Sequence, residues 1–555
     1  MFSIDQNSHS LWDAIPKLHA LLRKGAAVTH FIEDVDAAFT ALGSTVEGGS
    51  LALVRERFHR SGGADWGAAL FYTGFLGRQA VEVRNFEPFV GMKTNVLAGK
   101  LGRSVDDLYE EFSPGDNWQL IGSSFVGDRA HQRVIHDLTL AETAPFVREL
   151  LNKARQDTLH SFPARASQDR ANEWFDRERS LVERLLSELS GGRLVDLYER
   201  WLAAHFLHWG RSVRLDLTSR LFACDQPDAP GLRLVRPFVA DYYAAAGMYN
   251  DAIAETNMAM RPLDTKAGEL PLFAMQAHDG RFVRTGVFLA DGAVEIDGRA
   301  FRLGKDGVPA TADLAAAGVL CLVGKAMLLV SQVRMGPAGE MLAVPYRGSA
   351  YMPAAHALVR KLTAAGMVAG PLRPIIRVRL RLLDRLRDLD TPIRLPVWLA
   401  EAIGGEEVPA RRLGQAWQDL ARQARRRLDS FRDDAARQRW QVQEMPDLHA
   451  EMAALNDRRR DLAAKDPKAP ELRGIWKTVS GLQTKILDRT VRRIDADGQL
   501  ADLDFYDTRG AAMPWCAALT GESFYNKVID QAEVYEEDDD DRRHRCSEIE
   551  KEQDI

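Results

Sequence analysis

Cysteine is scarce in this chain, and the four cysteines, Cys224, Cys321, Cys516 and Cys546, are far apart. No C-x-x-C pair occurs, so the spacing indicates neither a zinc knuckle nor a disulfide framework. Such usage fits a reducing compartment, and we expect a cytoplasmic protein. Residues 1–22 carry acidic and polar side chains where a signal peptide needs a basic patch and an apolar stretch, so no export signal is expected.

An excess of positive charge and long apolar runs are also missing. The formal net charge is -6, which gives no general attraction to nucleic acid or anionic lipid. The basic stretch from Arg377 has acidic companions and no interleaved aromatic residues, so it favours a solvated charged face. The apolar run 315–333 is interrupted by Gly324 and Lys325 and predicts two buried strands instead of a membrane span. Neither nucleic acid nor membrane is an expected partner.

The sequence also lacks a complete catalytic or metal-binding signature. It has no G-x-S-x-G elbow and no H-E-x-x-H pair. His205 and His208 are three residues apart on a predicted helix but have no carboxylate partner within a turn. Histidines at the edge of the core are therefore favoured over a metal site, and no metal ligand is predicted.

The elements that are present predict an α/β protein of two to four domains. Helical spacing over residues 18–42 is followed by a strand that runs into a turn at Gly74 and Gly77. A helix and then a strand from Trp118 to Ile121 come next. Strand, helix and strand in this order are typical of a βαβ unit, and so of a parallel sheet.

Two other patterns follow the first part of the chain. Residues 270–310 hold short alternating strands separated by Asp-Gly pairs, which predict an antiparallel β meander because type I′ turns need positive φ at two residues. From Arg411 to Ile494, apolar residues at intervals of three and four predict an antiparallel coiled coil, with a homodimer as the expected assembly. The charged end predicts a disordered tail, and deletion after Glu536 is expected to change neither folding nor assembly.

These patterns divide the chain into six segments. The predicted segments are a helical start with the first half of the α/β core (1–141), a helical insertion (142–209), the second half of the core with the meander (210–410), a coiled-coil hairpin (411–495), a C-terminal cap (496–532) and a disordered acidic tail (533–555).

The glycine-rich stretch VRMGPAGEMLAVPY, residues 333–346, is the most informative local sequence. If 328–333 is a buried strand and a helix begins at Glu340, the backbone amides near Gly339 face a ligand above the strand end. Glu340 would then hold an amine or move a proton. The alternative is an architectural corner in which Glu340 caps the helix. The predicted ligand contacts here are Arg334, Gly336, Gly339, Glu340 and Tyr346.

Two polar segments supply further candidates. In GSSFVGDRAHQRVIHD, Asp128 and His131 form a candidate acid-base pair, because histidine titrates near neutral pH and an aspartate can fix its tautomer. A polar loop with surface histidines is the alternative. Predicted substrate contacts are Ser123 and Ser124 in this segment, with Asn250, Glu255 and Asn257 at a helix end whose residue types also suit a simple cap.

The order of the predicted elements along the chain resembles that in the bacillithiol synthase family of cysteine-adding ligases. The likeness covers residues 250–494, and its most specific element is Gly336-Pro337-x-Gly339-Glu340, where the family has a Gly-Pro-Gly-Glu corner. The resemblance implies a Rossmann-like core similar to class I aminoacyl-tRNA synthetases, a connecting insertion and a C-terminal antiparallel coiled coil. The family's glycine-glutamine-glutamine loop corresponds to LFYTGFLGRQ here, which implies substrate or nucleotide contacts by Gly74, Gly77, Arg78 and Gln79.

Two functions follow as expectations. The resemblance implies a ligase or amino-acyl transferase that joins an amino acid to a small amine or other nucleophile, with ATP or ADP as the cofactor that the family suggests. The alternative is a non-catalytic dimeric scaffold on a degenerate α/β core, because the family's acidic-histidine run after its second strand is replaced here by residues 126–131.

Overall fold

The computed structural model describes residues 1–4, 11–36, 51–55, 75–78, 83–112, 118–122, 131–226, 229–256, 258, 260–325, 327–347, 351–370, 372–508 and 512–537. The strands are β1 (Phe2–Ile4), β2 (Thr29–Ile32), β3 (Leu51–Arg55), β4 (Trp118–Gly122), β5 (Gln132–Arg133), β6 (Arg214–Leu217), β7 (Glu269–His278), β8 (Arg281–Ala290), β9 (Ala293–Ile296), β10 (Arg299–Arg302), β11 (Val319–Gly324), β12 (Leu342–Pro345), β13 (Ile375–Arg379), β14 (Pro392–Arg394), β15 (Glu407–Pro409) and β16 (Glu533–Glu536).

The helices are α1 (Leu11–Arg23), α2 (Glu87–Val90), α3 (Thr94–Leu101), α4 (Val105–Phe112), α5 (Leu140–Ser161), α6 (Arg165–Glu188), α7 (Leu194–His208), α8 (Thr218–Leu221), α9 (Val235–Ala240), α10 (Tyr242–Glu255), α11 (Thr311–Ala316), α12 (Leu329–Gln332), α13 (Met352–Ala364), α14 (Leu382–Arg385), α15 (Val397–Ile403), α16 (Ala410–Phe431), α17 (Asp434–Glu444), α18 (Pro446–Lys465), α19 (Glu471–Ala501), α20 (Ala512–Leu519) and α21 (Glu522–Asp530). Within the described residues, no helix is both long and apolar enough to cross a membrane.

A largely parallel sheet forms the centre of the fold. Its described strands lie in the order β16, β13, β12, β1, β2, β6, and all neighbours are parallel except β16, which runs antiparallel to β13. In chain order this is 6-5-4-1-2-3, so the order reverses between β1 and β12. The prediction of a mixed α/β protein with a parallel sheet is confirmed.

The two faces of this sheet belong to two different hydrophobic cores. On β12, Leu342 and Val344 join one core with the meander, α10 and α13. Ala343 between them faces the other core, which contains α1, the helices α5 to α7, and α20 and α21. Side chains alternate along a strand, so both faces of β12 are covered, as parallel sheets require.

The strands β7 to β10 form the predicted antiparallel meander, with β11 beside β7 and β5 beside β8. Asp279, Asp291 and Asp297 have φ of 47°, 48° and 51°, and the glycine after each also has positive φ. The Asp-Gly turns predicted from the sequence are therefore confirmed at these three positions.

Four local predictions for the core are wrong. Phe31 lies in strand β2 and not in a helix, because it is paired in the parallel sheet. The strand at 118–121 exists as β4, but it pairs antiparallel with β3 outside the parallel sheet. The second half of the apolar run folds as helix α12, and the chain after Glu340 enters strand β12 instead of a helix. A buried apolar run of this length suits either element, and tertiary packing selected the helix.

The C-terminal helices α16, α18 and α19 occupy the segment predicted as a coiled coil. Helix α19 packs against both α16 and α18. Buried α19 side chains include Ile475, Val479, Leu482 and Ile486, whereas α17 and α18 have no fully buried residue. The coiled coil itself stays a prediction, as does its pairing between chains.

The tail boundary and the solvated basic face need correction. Residues 533–536 form the edge strand β16, so the predicted disordered tail does not begin at 533, and residues 538–555 lie outside the described part. In the basic stretch, Arg377 is 2% exposed, and its guanidinium bonds both carboxylate oxygens of Glu537 at 3.0 Å. The charge pattern of the sequence predicts solvated side chains here. In the structure Arg377 is buried and forms an ion pair with Glu537, which follows the edge strand β16.

Candidate functional site

The carboxyl ends of the parallel strands gather a set of polar residues from distant parts of the chain. Residues 33–36 follow β2, residues 218–219 follow β6, residues 346–347 follow β12, and Arg379 is the last residue of β13. In open α/β sheets, ligands bind outside this edge, at the point where the strand order reverses. Here that point lies between β1 and β12.

Asp34 is the centre of a buried polar cluster at this edge. Its carboxylate accepts hydrogen bonds from the backbone amide of Ser219 at 2.7 Å and from the Ser219 hydroxyl at 2.5 Å. His136 Nδ1 lies 2.7 Å from Asp34 Oδ2, and Arg193 bonds His136 Nε2 from the other side. Asp34 has no exposed surface, so these partners satisfy a charge that water does not reach.

This Asp34 cluster is a positioning network and not a hydrolytic triad. Because Arg193 has only N–H donors, His136 Nε2 must accept, and His136 Nδ1 then carries the proton that it donates to Asp34. The Ser219 hydroxyl bonds the aspartate instead of the histidine. A serine nucleophile needs a base within hydrogen-bond reach, so this arrangement does not activate Ser219 for attack. Its effect is to join the ends of β2 and β6 to the segment at 135–137 and to α7.

Glu33 lies beside this cluster, and its burial disfavours the charged form of its carboxyl group. Burial raises its pKa well above the ordinary range, and the neighbouring carboxylates Asp36 and Asp34 raise it further. Two backbone amides, those of Val35 and Asp36, bond its Oε1 at 2.7 and 2.8 Å and oppose the shift. Carboxyl groups with raised pKa values can transfer protons near neutral pH.

Asp36 connects the sheet edge to the meander. Arg284 of β8 bonds Asp36 Oδ1 at 2.5 Å and the Gln132 side chain at 2.9 Å, while its guanidinium stacks over the Phe273 ring. The Arg284 side chain is only 8% exposed. The meander is therefore fixed to the carboxyl edge of the parallel sheet through a buried arginine.

On the other side of the strand reversal, Arg379 presents a positive charge. Its guanidinium lies 4.4 Å from the centroid of the Tyr346 ring, and its buried Nε has no hydrogen-bond partner among the described residues. The neighbouring Arg347 is instead neutralised by Asp502, with Asp504 at 3.7 Å. Arg379 is therefore the candidate partner for an anionic group at this edge, and Tyr346 supports its guanidinium.

The glycine-rich corner lies at the opposite edge of the sheet, because it precedes β12. Gly336 has φ of 73°, and a Cβ on Gly339 would lie 2.5 Å from the Arg334 carbonyl oxygen. Arg334 Nε bonds the Arg373 carbonyl at 2.6 Å, and the Glu340 carboxylate pairs with the N-terminal amine of the chain at 3.3 Å. These contacts give the corner an architectural explanation, and its ligand role stays a prediction without geometric support.

Other predicted residues contact separate elements. Arg78 bonds the Asp495 carboxylate at 2.5 Å, and the Gly77 carbonyl accepts from the Tyr506 hydroxyl at 3.2 Å. Asn250 bonds the backbone amide and carbonyl of Leu263 through its side chain, which fixes the loop after α10.

The remaining predicted residues divide between a surface pair, the meander and the undescribed part of the chain. Glu255 pairs with Lys361 on the surface at 2.5 Å. His131 lies beside His278 and Asp297 on the meander, and these three are the described residues whose ligand atoms converge as a metal site would require. The predicted residues that lie outside the described part are Gly74, Gln79, Ser123, Ser124, Asp128 and Asn257.

A separate cavity of about 790 Å³ lies among α6, α7, α20 and α21. At its base the buried Glu178 accepts a hydrogen bond from Trp201 at 2.8 Å and lies 3.1 Å from His205. His208 instead faces Glu522 at 3.7 Å, so the two histidines do not share one metal. None of the residues predicted to bind a ligand is among the described residues that line this cavity.

Sequence reasoning missed Glu33, Asp34 and Arg379 at the carboxyl edge. The available signal was FIEDVD, in which three acidic residues follow a β-branched and aromatic stretch. The apolar residues of this stretch also fit a helical spacing with later residues, so a helix is predicted where strand β2 lies. The stretch that contains Arg379 is predicted as a solvated face because it has acidic companions and no interleaved aromatic residues. No family model, curated protein or solved structure matches this chain.

Proposed function

We propose that this chain is a ligase-like or amino-acyl-transfer enzyme that joins an amino acid to a small amine or other nucleophile. The reaction would take place outside the carboxyl ends of β1 and β12. The observation that carries the proposal is Arg379, whose Nε has no hydrogen-bond partner among the described residues, at the carboxyl edge where the strand order reverses. The resemblance of residues 250–494 to cysteine-adding ligases supplies the reaction class.

The topology supports a Rossmann-like interpretation of the core. From β6 to β13 the parallel strands follow the chain order 3-2-1-4-5, and β16 adds an antiparallel sixth strand. Doubly wound nucleotide-binding folds have this order, and their ligands lie at the reversal. The proposed crevice is therefore where such a fold would place a nucleotide or an activated amino acid.

Arg379 supplies the charge that such a substrate needs. Carboxylates and phosphates both match the planar, multiply donating guanidinium group, so either part of the substrate would bind there. Tyr346 stacks against the guanidinium and limits its rotation. Glu33, at the ends of the neighbouring strands, is the proposed proton donor because its pKa is raised.

Cysteine chemistry is not part of the proposal. Cys224, Cys321 and Cys516 are free thiols, and all three are buried. Burial raises the pKa of Cys224 to about 12 and raises those of the other two as well. A thiol with a raised pKa is a poor nucleophile near neutral pH. The free thiols also suit the cytoplasm as the proposed location.

The experiment measures ligand binding by thermal shift and calorimetry, with ATP, ADP and a set of amino acids as probes. We expect a nucleotide or amino acid to bind, and Arg379→Gln to weaken binding of the anionic probe by tenfold or more. Arg302→Gln is the matched control, because Arg302 is exposed on β10, away from this edge. Its affinity should equal that of the wild type.

Product formation tests the reaction itself. Incubation with ATP, the bound amino acid and a mixture of small amines should give a condensation product that mass spectrometry detects, and Arg379→Gln should lose it. Absence of binding by every nucleotide and amino acid would contradict the proposal. Equal losses in Arg379→Gln and Arg302→Gln would also contradict it, because a general charge effect would then explain the result.

A second candidate function is a dimeric scaffold that uses the helices α17 to α19. Trp476 of α19 is 60% exposed and Val442 of α17 is 45% exposed, while Leu455 and Leu462 of α18 are only half-buried. Large apolar side chains on a helical hairpin are typical of a pairing surface. A homodimer through this surface would bring a second copy onto Trp476.

Analytical ultracentrifugation tests the dimer. We expect the wild type to sediment as a dimer and Trp476→Ser to shift toward monomer. Val397→Ser is the control, because Val397 on α15 is 69% exposed and lies outside these helices. A monomeric wild type at micromolar concentration would refute the scaffold, and a dimer in both variants would place the interface elsewhere.

A further inference from the structure

Three residues from separate parts of the chain converge on one side of the meander. His131 comes directly before β5, His278 ends β7, and Asp297 begins the turn between β9 and β10. We refer to these three as the His131 site. The nitrogens of the two histidines and a carboxylate oxygen of Asp297 all lie within 4.8 Å of one another.

Both imidazoles are directed at the same carboxylate. His131 Nε2 lies 2.6 Å from Asp297 Oδ1, and His278 Nδ1 lies 3.3 Å from Asp297 Oδ2. The two rings stack with their centroids 3.9 Å apart and their planes 16° from parallel. Each imidazole therefore presents one ring nitrogen to the same carboxylate, so the three ligand atoms converge on one point.

The backbone holds these groups in place independently of their mutual contacts. Pairing of Gln132 with Arg284 fixes the position of His131 against β8, and the β7–β8 hairpin fixes His278. Asp297 sits at φ of 51° in the Asp-Gly turn between β9 and β10, and the pairing of these two strands fixes its backbone. A site assembled from paired strands is preorganised for a ligand.

We propose that the His131 site binds one divalent transition-metal ion of the zinc class. His131 Nε2, His278 Nδ1 and an Asp297 oxygen are the protein ligands, and water would complete the coordination. Two imidazoles and one carboxylate suit zinc and its neighbours far better than calcium or magnesium, which prefer oxygen alone.

The surroundings of the site support this assignment. Asp279 Oδ2 lies 3.6 Å from His278 Nε2, so a second carboxylate is near the ring nitrogen that does not face Asp297. The side chains of the three ligands are 21%, 34% and 27% exposed, in the order His131, His278 and Asp297. An ion can therefore enter, and one coordination position can stay open to solvent.

The proposed metal would connect β5 to the turn between β9 and β10. Gln132, adjacent to His131, bonds Arg284, and Arg284 in turn bonds Asp36 at the carboxyl edge of the parallel sheet. Metal binding would thus stabilise the attachment of the meander to that edge. This inference does not depend on the proposed ligase activity.

Metal content of the full chain tests the proposal. After dialysis against a chelator, zinc chloride or cobalt chloride is added, and binding is measured by calorimetry and by the visible absorption of cobalt. We expect one ion per chain. His278→Ala and Asp297→Asn should each weaken zinc binding by tenfold or more, and His160→Ala, which changes an exposed histidine on α5, should bind as the wild type does.

Thermal unfolding guards against misfolded variants. Zinc should raise the melting temperature of the wild type and of His160→Ala, because an ion that binds only the folded state stabilises it. It should leave His278→Ala unchanged although that variant melts cooperatively. No stoichiometric zinc in the wild type, or the same zinc affinity in His278→Ala, would overturn the assignment.

Discussion

The ion pair between Arg377 and Glu537 carries the sharpest stability prediction. The side chains are 2% and 5% exposed, and one guanidinium nitrogen contacts both carboxylate oxygens at 3.0 Å. Arg377 also donates to the Pro345 carbonyl at 3.1 Å, at the end of β12. Glu537 is therefore the partner of a charge buried in the central sheet.

Glu537→Ala should remove the carboxylate that pairs with the buried Arg377 guanidinium. Breaking such a pair costs about 3 to 5 kcal/mol, whereas replacing both partners by apolar residues is often neutral or stabilising. We therefore expect Glu537→Ala to lower the free energy of unfolding by about 3 kcal/mol or more. Arg377→Met combined with Glu537→Leu should recover most of that loss.

Urea unfolding measures these free energies, and hydrogen exchange at residues 375–379 reports the local effect on β13. A chain truncated after Glu537 is the control, because it removes residues 538–555 and keeps the pair. Truncation after Glu536 should behave like Glu537→Ala, in contrast to the dispensable tail that composition predicts. A change below about 0.5 kcal/mol in Glu537→Ala, the scale of an ordinary surface substitution, would refute this reasoning.

Two further predictions concern buried groups. Burial gives Glu33 a folded-state pKa above its unfolded value, so stability falls as pH rises from the ordinary carboxyl range through the raised pKa. Glu33→Gln should therefore unfold at higher urea than the wild type at pH 7, with the difference vanishing near pH 4, and a destabilised variant at pH 7 would contradict this. Gly339→Ala should cost about 1 to 3 kcal/mol, because its Cβ would meet backbone oxygen at 2.5 Å. Gly99→Ala in α3, with nothing within 4 Å, should stabilise by up to about 1 kcal/mol, and equal effects of the two substitutions in urea unfolding would refute the packing argument.

The residues of the candidate site show why local sequence patterns did not predict this site. The Asp34 cluster joins residues that follow two parallel strands, and Ser219 lies 185 positions from Asp34 in the chain. Parallel pairing depends on packing between distant segments, so no local spacing reports it. Glu33 and Arg379 lie at the same edge because β2, β1, β12 and β13 run parallel in one sheet.

At the glycine-rich corner the error was of another kind: local sequence indicated a bend, but not its place relative to the sheet. Gly336 and Gly339 are predicted as ligand contacts, with an architectural corner as the alternative; in the structure Gly336 has positive φ and Gly339 packs against backbone. The direction of the bend was not encoded locally. Because α12 precedes the corner and β12 follows it, the corner lies at the amino edge of the sheet, opposite the carboxyl ends of the strands.

The sequence by itself determined features whose causes are local. The Asp-Gly turns at Asp279, Asp291 and Asp297 follow from the φ angles that type I′ turns need, and the helices of residues 140–208 follow from apolar spacing. Only the tertiary structure decided which strands pair, which arginines are buried and which histidine meets which carboxylate. His131 and Asp297 are 166 residues apart, and they meet because β5 adds to the edge of a meander that forms far along the chain. A contact of that kind depends on the packing of the whole core, so neither residue's neighbours in the chain reveal it.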